Sequence, residues 1–293
     1  MFKKILLALL FIIGALSAAS AQEKTDSTAL WRIETMDGNI FTGRIVSESG
    51  GTIILSTERL GNITVQTYDI KSRILLDNPV IVDGKVWLPN PQSSRYFWAP
   101  NGYGLGKGNN NYQNIWIFYN QASFGLSDNF SIGAGMIPLF LFNAGPTPVW
   151  IVPKFSIPII KDKVNFGTGA FLGSVIGESM GLTGLVFGTT TFGSRDKNMS
   201  IGIAYGFNND DWMDTPIINL SFMGRVNPKT YLISENYILP IEGEVFAIFS
   251  FGGRSIVRNI SIDYSLWVPG GFESGVFIAI PYLGISVPFG NKK

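Results

Sequence analysis

The chain has 293 residues, of which 46% are hydrophobic and 13% aromatic, but only 15% are charged, against about 25% in soluble domains. It has no cysteine and no histidine, which excludes disulfides, thiolate metal sites, lipidation at a cleavage-site cysteine, and the commonest general base and metal ligand. With 22 Lys and Arg against 21 Asp and Glu, it has no charge excess suited to a nucleic-acid partner.

Met1 to Ala21 reads as a secretory signal: Lys3 and Lys4 open it, Ile5 to Leu16 form the apolar run, and Ala19-Ser20-Ala21 supply the cleavage site. That run is short for a membrane helix of about 20 residues. Cleavage would make Gln22 the first residue and leave 20 basic against 21 acidic side chains. The 34 glycines and 15 prolines argue against a helical membrane protein. The one long uncharged stretch after the signal, Asn129 to Pro153, holds Pro138, Pro146 and Pro148.

Residues 22–90 are expected to form a small β-domain and its linker. From Ala29 to Leu76, short alternating runs are cut by turn pairs at Asp37-Gly38, Gly50-Gly51 and Gly61-Asn62. The pattern Asp37-Gly38-Asn39, Phe41-Thr42-Gly43-Arg44-Ile45 and Tyr68-Asp69-Ile70 resembles small SH3-like or Sm-like barrels of exported bacterial proteins. That resemblance implies a packing or protein-interaction module; the basic and aromatic residues of an RNA site are sparse. Pro79, Pro89 and Pro91 mark a passage to the larger region, with the boundary near Asn90.

Residues 91–293 carry the signature of an antiparallel up-and-down transmembrane β-barrel. Tight turns are expected at Ser127-Asp128-Asn129, Lys161-Asp162-Lys163, Arg195 to Asn198, Asn227-Pro228-Lys229 and Arg258-Asn259, their first residues 34, 34, 32 and 31 apart. One hairpin of two strands of about 10 residues plus a far loop needs about that length. Stepping back from Ser127 puts the first strand at Ser93, and stepping forward puts the last strand end at Phe289, giving about twelve strands. An even number returns both ends to the tight-turn side, the periplasmic one in this class. The longer connections are then Gly102 to Asn111, Leu141 to Thr147, Ile176 to Gly181, Asn208 to Thr215, Leu239 to Glu244 and Val268 to Gly275.

Alternation supports closure. Met199, Ile201, Ile203, Tyr205 and Phe207 are interleaved with small residues, as are Phe130 to Met136 and Ile260 to Leu266. A soluble β-sheet would carry Lys, Glu and Thr on its outer face. Pro153, Pro158, Pro281 and Pro288 cannot donate to a ladder and are expected at strand ends or bulges.

Tyr282, Gly284, Val287 and Phe289 resemble the terminal-strand signal by which outer-membrane barrels are recognised for insertion, although Gly290 to Lys293 follow the last aromatic residue. As a whole the chain resembles uncharacterised exported proteins of Gram-negative bacteria that join an SH3-like domain to an outer-membrane barrel. Membership implies a location in the outer membrane with the small domain in the periplasm, and outer-membrane lipid, the barrel-insertion machinery and a periplasmic protein as partners.

Lys154, Arg225, Glu235, Arg254 and Asp263 are the candidate lumen charges, either a polar pathway or small-solute binding site, or a salt-bridge network that plugs the lumen. Trp116, Tyr119, Trp150, Tyr231, Tyr237, Trp267 and Phe289 are candidates for interfacial belts. Gly102 to Gly108 lacks the Ser or Thr of a phosphate loop and reads as a flexible connection. Asn209, Asp210, Asp211 and Asp214 read as a solvated acidic loop without cation-loop spacing. No catalytic, cofactor or metal residues are expected. The expected function is a non-enzymatic barrel with a structural, envelope-assembly or limited solute-passage role. The alternatives are a soluble periplasmic β-protein with an apolar ligand, or a lipid hydrolase on Ser234 and Glu235.

Overall fold

The computed structural model describes residues 29–57, 60–76, 80–82, 85–87, 89–139, 145–179, 181–209, 211–241, 244–257, 259–270 and 278–290. The expected signal at 1–21, and parts of the expected connections at 141–144, 180, 210, 242–243 and 271–275, lie outside them. The chain divides into two compact units between Asn78 and Pro79, so the stretch expected as linker up to Asn90 lies in the second.

The first unit is a five-stranded antiparallel sheet: β1 (Leu30–Thr35), β2 (Ile40–Ser49), β3 (Thr52–Thr57), β4 (Gly61–Gln66) and β5 (Ile70–Leu76), ordered β4-β3-β2-β1-β5. A single 3₁₀ turn, Thr67–Asp69, feeds β5 back beside β1. Alternation puts Trp31 and Ile33 of β1 inward with Ile45, Ile53, Leu55 and Val65. Full burial of each aliphatic side chain is worth about 1.5–3 kcal/mol. Gly43 is required by close approach: a Cβ there would lie 2.3 Å from the Ser56 carbonyl oxygen. At the Asp37-Gly38 turn, hydrogen bonds from the Thr35 hydroxyl and the Asn39 amide hold the Asp37 carboxyl below its ordinary pKa.

The second unit opens with a short hairpin, β6 (Val80–Val82) and β7 (Lys85–Trp87). The barrel follows: β8 (Asn110–Ile115), β9 (Tyr119–Gly125), β10 (Phe130–Met136), β11 (Thr147–Ile160), β12 (Val164–Ile176), β13 (Thr183–Gly193) and β14 (Lys197–Asn208). It continues with β16 (Ile217–Asn227), β17 (Thr230–Ile241), β18 (Glu244–Val257), β19 (Ile260–Gly270) and β20 (Ile280–Phe289); β15 (Asp211–Trp212) folds back on the end of β14. Each barrel strand pairs antiparallel with the next, and β20 pairs with β8 from Gly284↔Ile115 to Phe289↔Asn110, closing twelve strands. Closure leaves no unpaired edge, the condition for β-structure in a bilayer. Among the described residues no helix is long and apolar enough to cross a membrane.

Of the five expected tight turns, Ser127 to Asn129 and Lys161 to Lys163 stand between strands, Arg195 to Asn198 runs two residues into β14, and Asn227 to Lys229 starts on the last residue of β16. Asn259 stands between β18 and β19, Arg258 lying outside the described residues, and the last strand ends at Phe289. The first strand does not begin at Ser93. It begins at Asn110, and its hairpin with β9 is closed at the far end by residues 116–118, not by Gly102 to Asn111. The prolines fall where a missing donor is tolerated. Pro281 and Pro288 lie near the ends of β20, Pro158 adjoins a bulge, and Pro153 sits where β11–β12 pairing lapses between Ile151 and Lys154.

The two faces of the wall differ sharply. Outward stand Phe155, Ile201, Leu220, Phe251, Leu266 and Leu283, all exposed; inward, and buried, stand Ser156, Ser200, Ser221, Ser261 and Asn165. This is the arrangement of a barrel with an apolar exterior and a polar interior.

Candidate functional site: the barrel lumen

Residues 90–105 run through the interior of the barrel instead of joining its wall. Their partners surround them. The Tyr96 hydroxyl bonds Asn198 (2.6 Å) and Ser200 (2.7 Å) on β14, the Gly102 amide donates to the Thr191 hydroxyl on β13 (2.7 Å), and the Tyr282 hydroxyl on β20 donates to the Phe97 carbonyl (3.0 Å). A segment touching β13, β14 and β20 together, with Tyr96 and Phe97 fully buried, plugs the lumen. Of the Gly102 to Gly108 stretch expected as a flexible connection, Gly102 to Gly104 are buried, and a Cβ on Gly102 would lie 2.3 Å from the Asn165 carbonyl oxygen, while Lys107 and Gly108 are exposed.

The expected lumen charges bind this plug. Arg254 on β18 is fully buried. Its Nε and Nη2 donate to the two carboxylate oxygens of Asp263 on β19 (2.7 and 2.9 Å), while Nη1 reaches the Gln92 carbonyl (2.6 Å) and Nη2 the Tyr96 carbonyl (2.5 Å). Glu235 on β17, also fully buried, accepts the consecutive amides of Phe97 (2.7 Å), Trp98 (3.0 Å) and Ala99 (3.0 Å), with the Tyr237 hydroxyl at 2.6 Å. Three successive N–H groups converging on one carboxylate form an anion nest, here closed by a side chain of the wall. Lys154 on β11 donates to the carbonyls of Ser94 (3.0 Å) and Tyr103 (2.6 Å). Arg225 sits nearer the tight turns, 3.1 Å from Asp196 and over the rings of Trp87 and Tyr231. The expected salt-bridge plug is thus corrected. Of these five, Arg254 and Asp263 pair with each other and Arg225 pairs with Asp196, while Lys154 and Glu235 bond the plug backbone.

Above the plug, toward the longer connections, lies a cavity of about 730 Å³. Its wall is largely apolar, with Trp150, Phe171, Leu185, Phe187, Tyr237 and Trp267 among the lining residues. A run of ring contacts continues from plug to wall: Trp98 to Tyr119 (4.7 Å), Tyr119 stacked on Trp150 (4.5 Å), and Trp150 on Phe171 (5.8 Å). These aromatics overturn much of the expected belt. Tyr119, Trp150, Tyr237 and Trp267 line the cavity and Tyr231 is fully buried, whereas Trp116 and Phe289 are exposed. The reason is strand parity: Trp150 shares a face with Lys154, Tyr231 and Tyr237 with Glu235, and Trp267 with Asp263.

The other candidates separate. In the terminal strand, Tyr282 and Gly284 point inward, where Tyr282 anchors the plug, while Phe289 is outside against Phe124 (5.7 Å) and Val287, two residues before it, shares its outward parity. Ser234 and Glu235 lie on opposite faces of β17, and Ser234 donates to the Ser250 carbonyl (2.8 Å), so they do not form a nucleophile and base. Asp210 lies outside the described residues, and among these no group of His, Cys, Asp or Glu is placed to hold a metal. The residues missed from sequence are those of the plug, above all Arg95, Tyr96, Phe97 and Tyr103.

No protein-family model matches the chain, and no curated protein matches it. Among solved structures it is similar to a bacterial polysaccharide outer membrane secretin (12% identity, TM-score 0.35, 59% of this chain and 69% of that one). It is also similar to outer-membrane expressed OmpT of Vibrio cholerae (10% identity, TM-score 0.33, 89% of this chain and 94% of that one). An in-vitro folded form of that OmpT gives 11% identity and a TM-score of 0.32 over the same shares.

Proposed function

We propose that the chain is a non-enzymatic outer-membrane barrel that binds a small apolar solute in a cup open toward the cell exterior, while its plug closes the lumen to free diffusion. The observation that carries this reading is the apolar cavity seated on a hydrogen-bonded plug inside a closed barrel. Its volume falls within the range of about 300–1,000 Å³ usual for small-molecule sites. The exposed Ile, Leu and Phe of the outer wall favour lipid over water as surroundings, against the soluble alternative. An even strand number, which returns both barrel ends to the tight-turn side, supports a periplasmic small domain, and the β4-β3-β2-β1-β5 order of that domain with a 3₁₀ turn before β5 supports the SH3-like reading and a protein-contact role.

Two measurements on the full chain test this. In planar bilayers it passes no steady ionic current; an open ohmic pore overturns the plug. In detergent it binds a neutral aromatic probe such as 2-naphthylmethanol saturably, by equilibrium dialysis corrected with empty micelles; no binding overturns the cup.

A further inference from the structure

Two cations stand at the floor of the cup with no acid beside them. Lys154 is 7% exposed, lines the cavity and bonds only to neutral carbonyls, which use two of its three donors. Arg95, on the plug and also lining the cavity, bonds the neutral amide of Gln113 and lies beside the Tyr119 phenol. Among the described residues neither has a carboxylate at ion-pair distance. The two buried lumen acids are engaged elsewhere, Asp263 by Arg254 and Glu235 by the plug amides. Positive charge under an apolar wall is costly unless water or a counter-charge reaches it, and an anionic solute in the cup supplies that counter-charge.

We infer that the cup takes an organic acid, a molecule with an aromatic or branched apolar body and one carboxylate, with the carboxylate set on Lys154 and Arg95 and the body against Trp150, Phe171 and Trp267. This deepens the proposed solute-binding reading and rests on it. The aromatic wall supplies area for the body, and the paired cations supply charge-assisted hydrogen bonds that an alcohol of the same shape does not receive.

The test compares three probes of one shape by equilibrium dialysis of the full chain in detergent at neutral pH: 2-naphthoate, 2-naphthylmethanol and 2-naphthylmethylammonium. The expected order is acid, alcohol, then amine, with the acid favoured over the alcohol by about tenfold, the weight of one charge-assisted hydrogen bond. Lys154→Met and Arg95→Gln each remove that preference and leave alcohol binding little changed, in protein whose unboiled gel mobility shows an intact barrel. Equal binding of acid and alcohol by the unaltered protein overturns the inference and leaves the cup standing; failure of all three probes overturns the cup itself. If Lys154→Met does not fold, the unaltered protein and Arg95→Gln decide.

Discussion

Arg254 and Asp263 are direct cross-strand partners in the β18–β19 ladder, and their bidentate contact leaves the remaining guanidinium donors pointing at the plug carbonyls of Gln92 and Tyr96. One ion pair therefore ties wall to wall and wall to plug. Asp263→Leu strands a buried cation, and the expected loss is about 3–5 kcal/mol of barrel stability. Arg254→Met with Asp263→Leu restores most of it. Urea unfolding in lipid vesicles, run as a double-mutant cycle, measures both; additive losses would show that the pair does not act as a unit.

Glu235 closes the nest at residues 97–99 with its full negative charge. Glu235→Gln keeps the shape and removes the charge. Amide exchange at Phe97, Trp98 and Ala99 is expected to quicken at least about tenfold, since charge-assisted hydrogen bonds carry about 1.5–3 kcal/mol each, while exchange in β12 stays unchanged. Unaltered exchange at 97–99 would mean that the plug holds without this carboxylate.

Phe251, 67% exposed near the middle of β18, faces outward. In a bilayer Phe251→Lys costs about 2–4 kcal/mol near the midplane. In water an exposed Phe→Lys change is close to neutral. Folding into lipid vesicles distinguishes the two, and a neutral result there would remove the membrane reading.

Ile33 is the fully buried centre of the N-terminal sheet, in a unit separate from the barrel. Ile33→Ala is expected to cost that sheet about 2–5 kcal/mol. In the full chain, limited proteolysis should then cut within residues 29–76 while the barrel retains its fast unboiled gel mobility. Loss of both together would show that the units fold as one.

Much of the barrel was legible because its physics is local and repeated. Turn residues near 127, 161, 195, 227 and 258 recur at hairpin length, and period-two alternation separates Ser200 from Ile201 along each strand. The inward set was also legible, since parity with Lys154, Glu235 and Asp263 already places Trp150, Tyr237 and Trp267 in the lumen; reading them as belts set that parity aside. The plug was not legible. Its contacts, Phe97 with Glu235 or Gln92 with Arg254, span more than a hundred residues, and 90–105 has no period to declare them. The extrapolation to Ser93 failed there for the same reason, because the first hairpin is short and the residues before it serve the interior.

The absence of cysteine permits a direct test of the plug. A Cβ at Gly104 would lie 3.2 Å from the Cβ of Ser156 on β11, near the disulfide separation of about 3.5–4.5 Å. The measurement is disulfide formation in Gly104→Cys/Ser156→Cys protein folded in lipid, read as a reductant-sensitive shift on a denaturing gel. Near-complete cross-linking with unboiled barrel mobility retained is expected. A folded barrel in which both thiols stay free and reactive to maleimide would contradict a lumen closed by its own N-terminal segment.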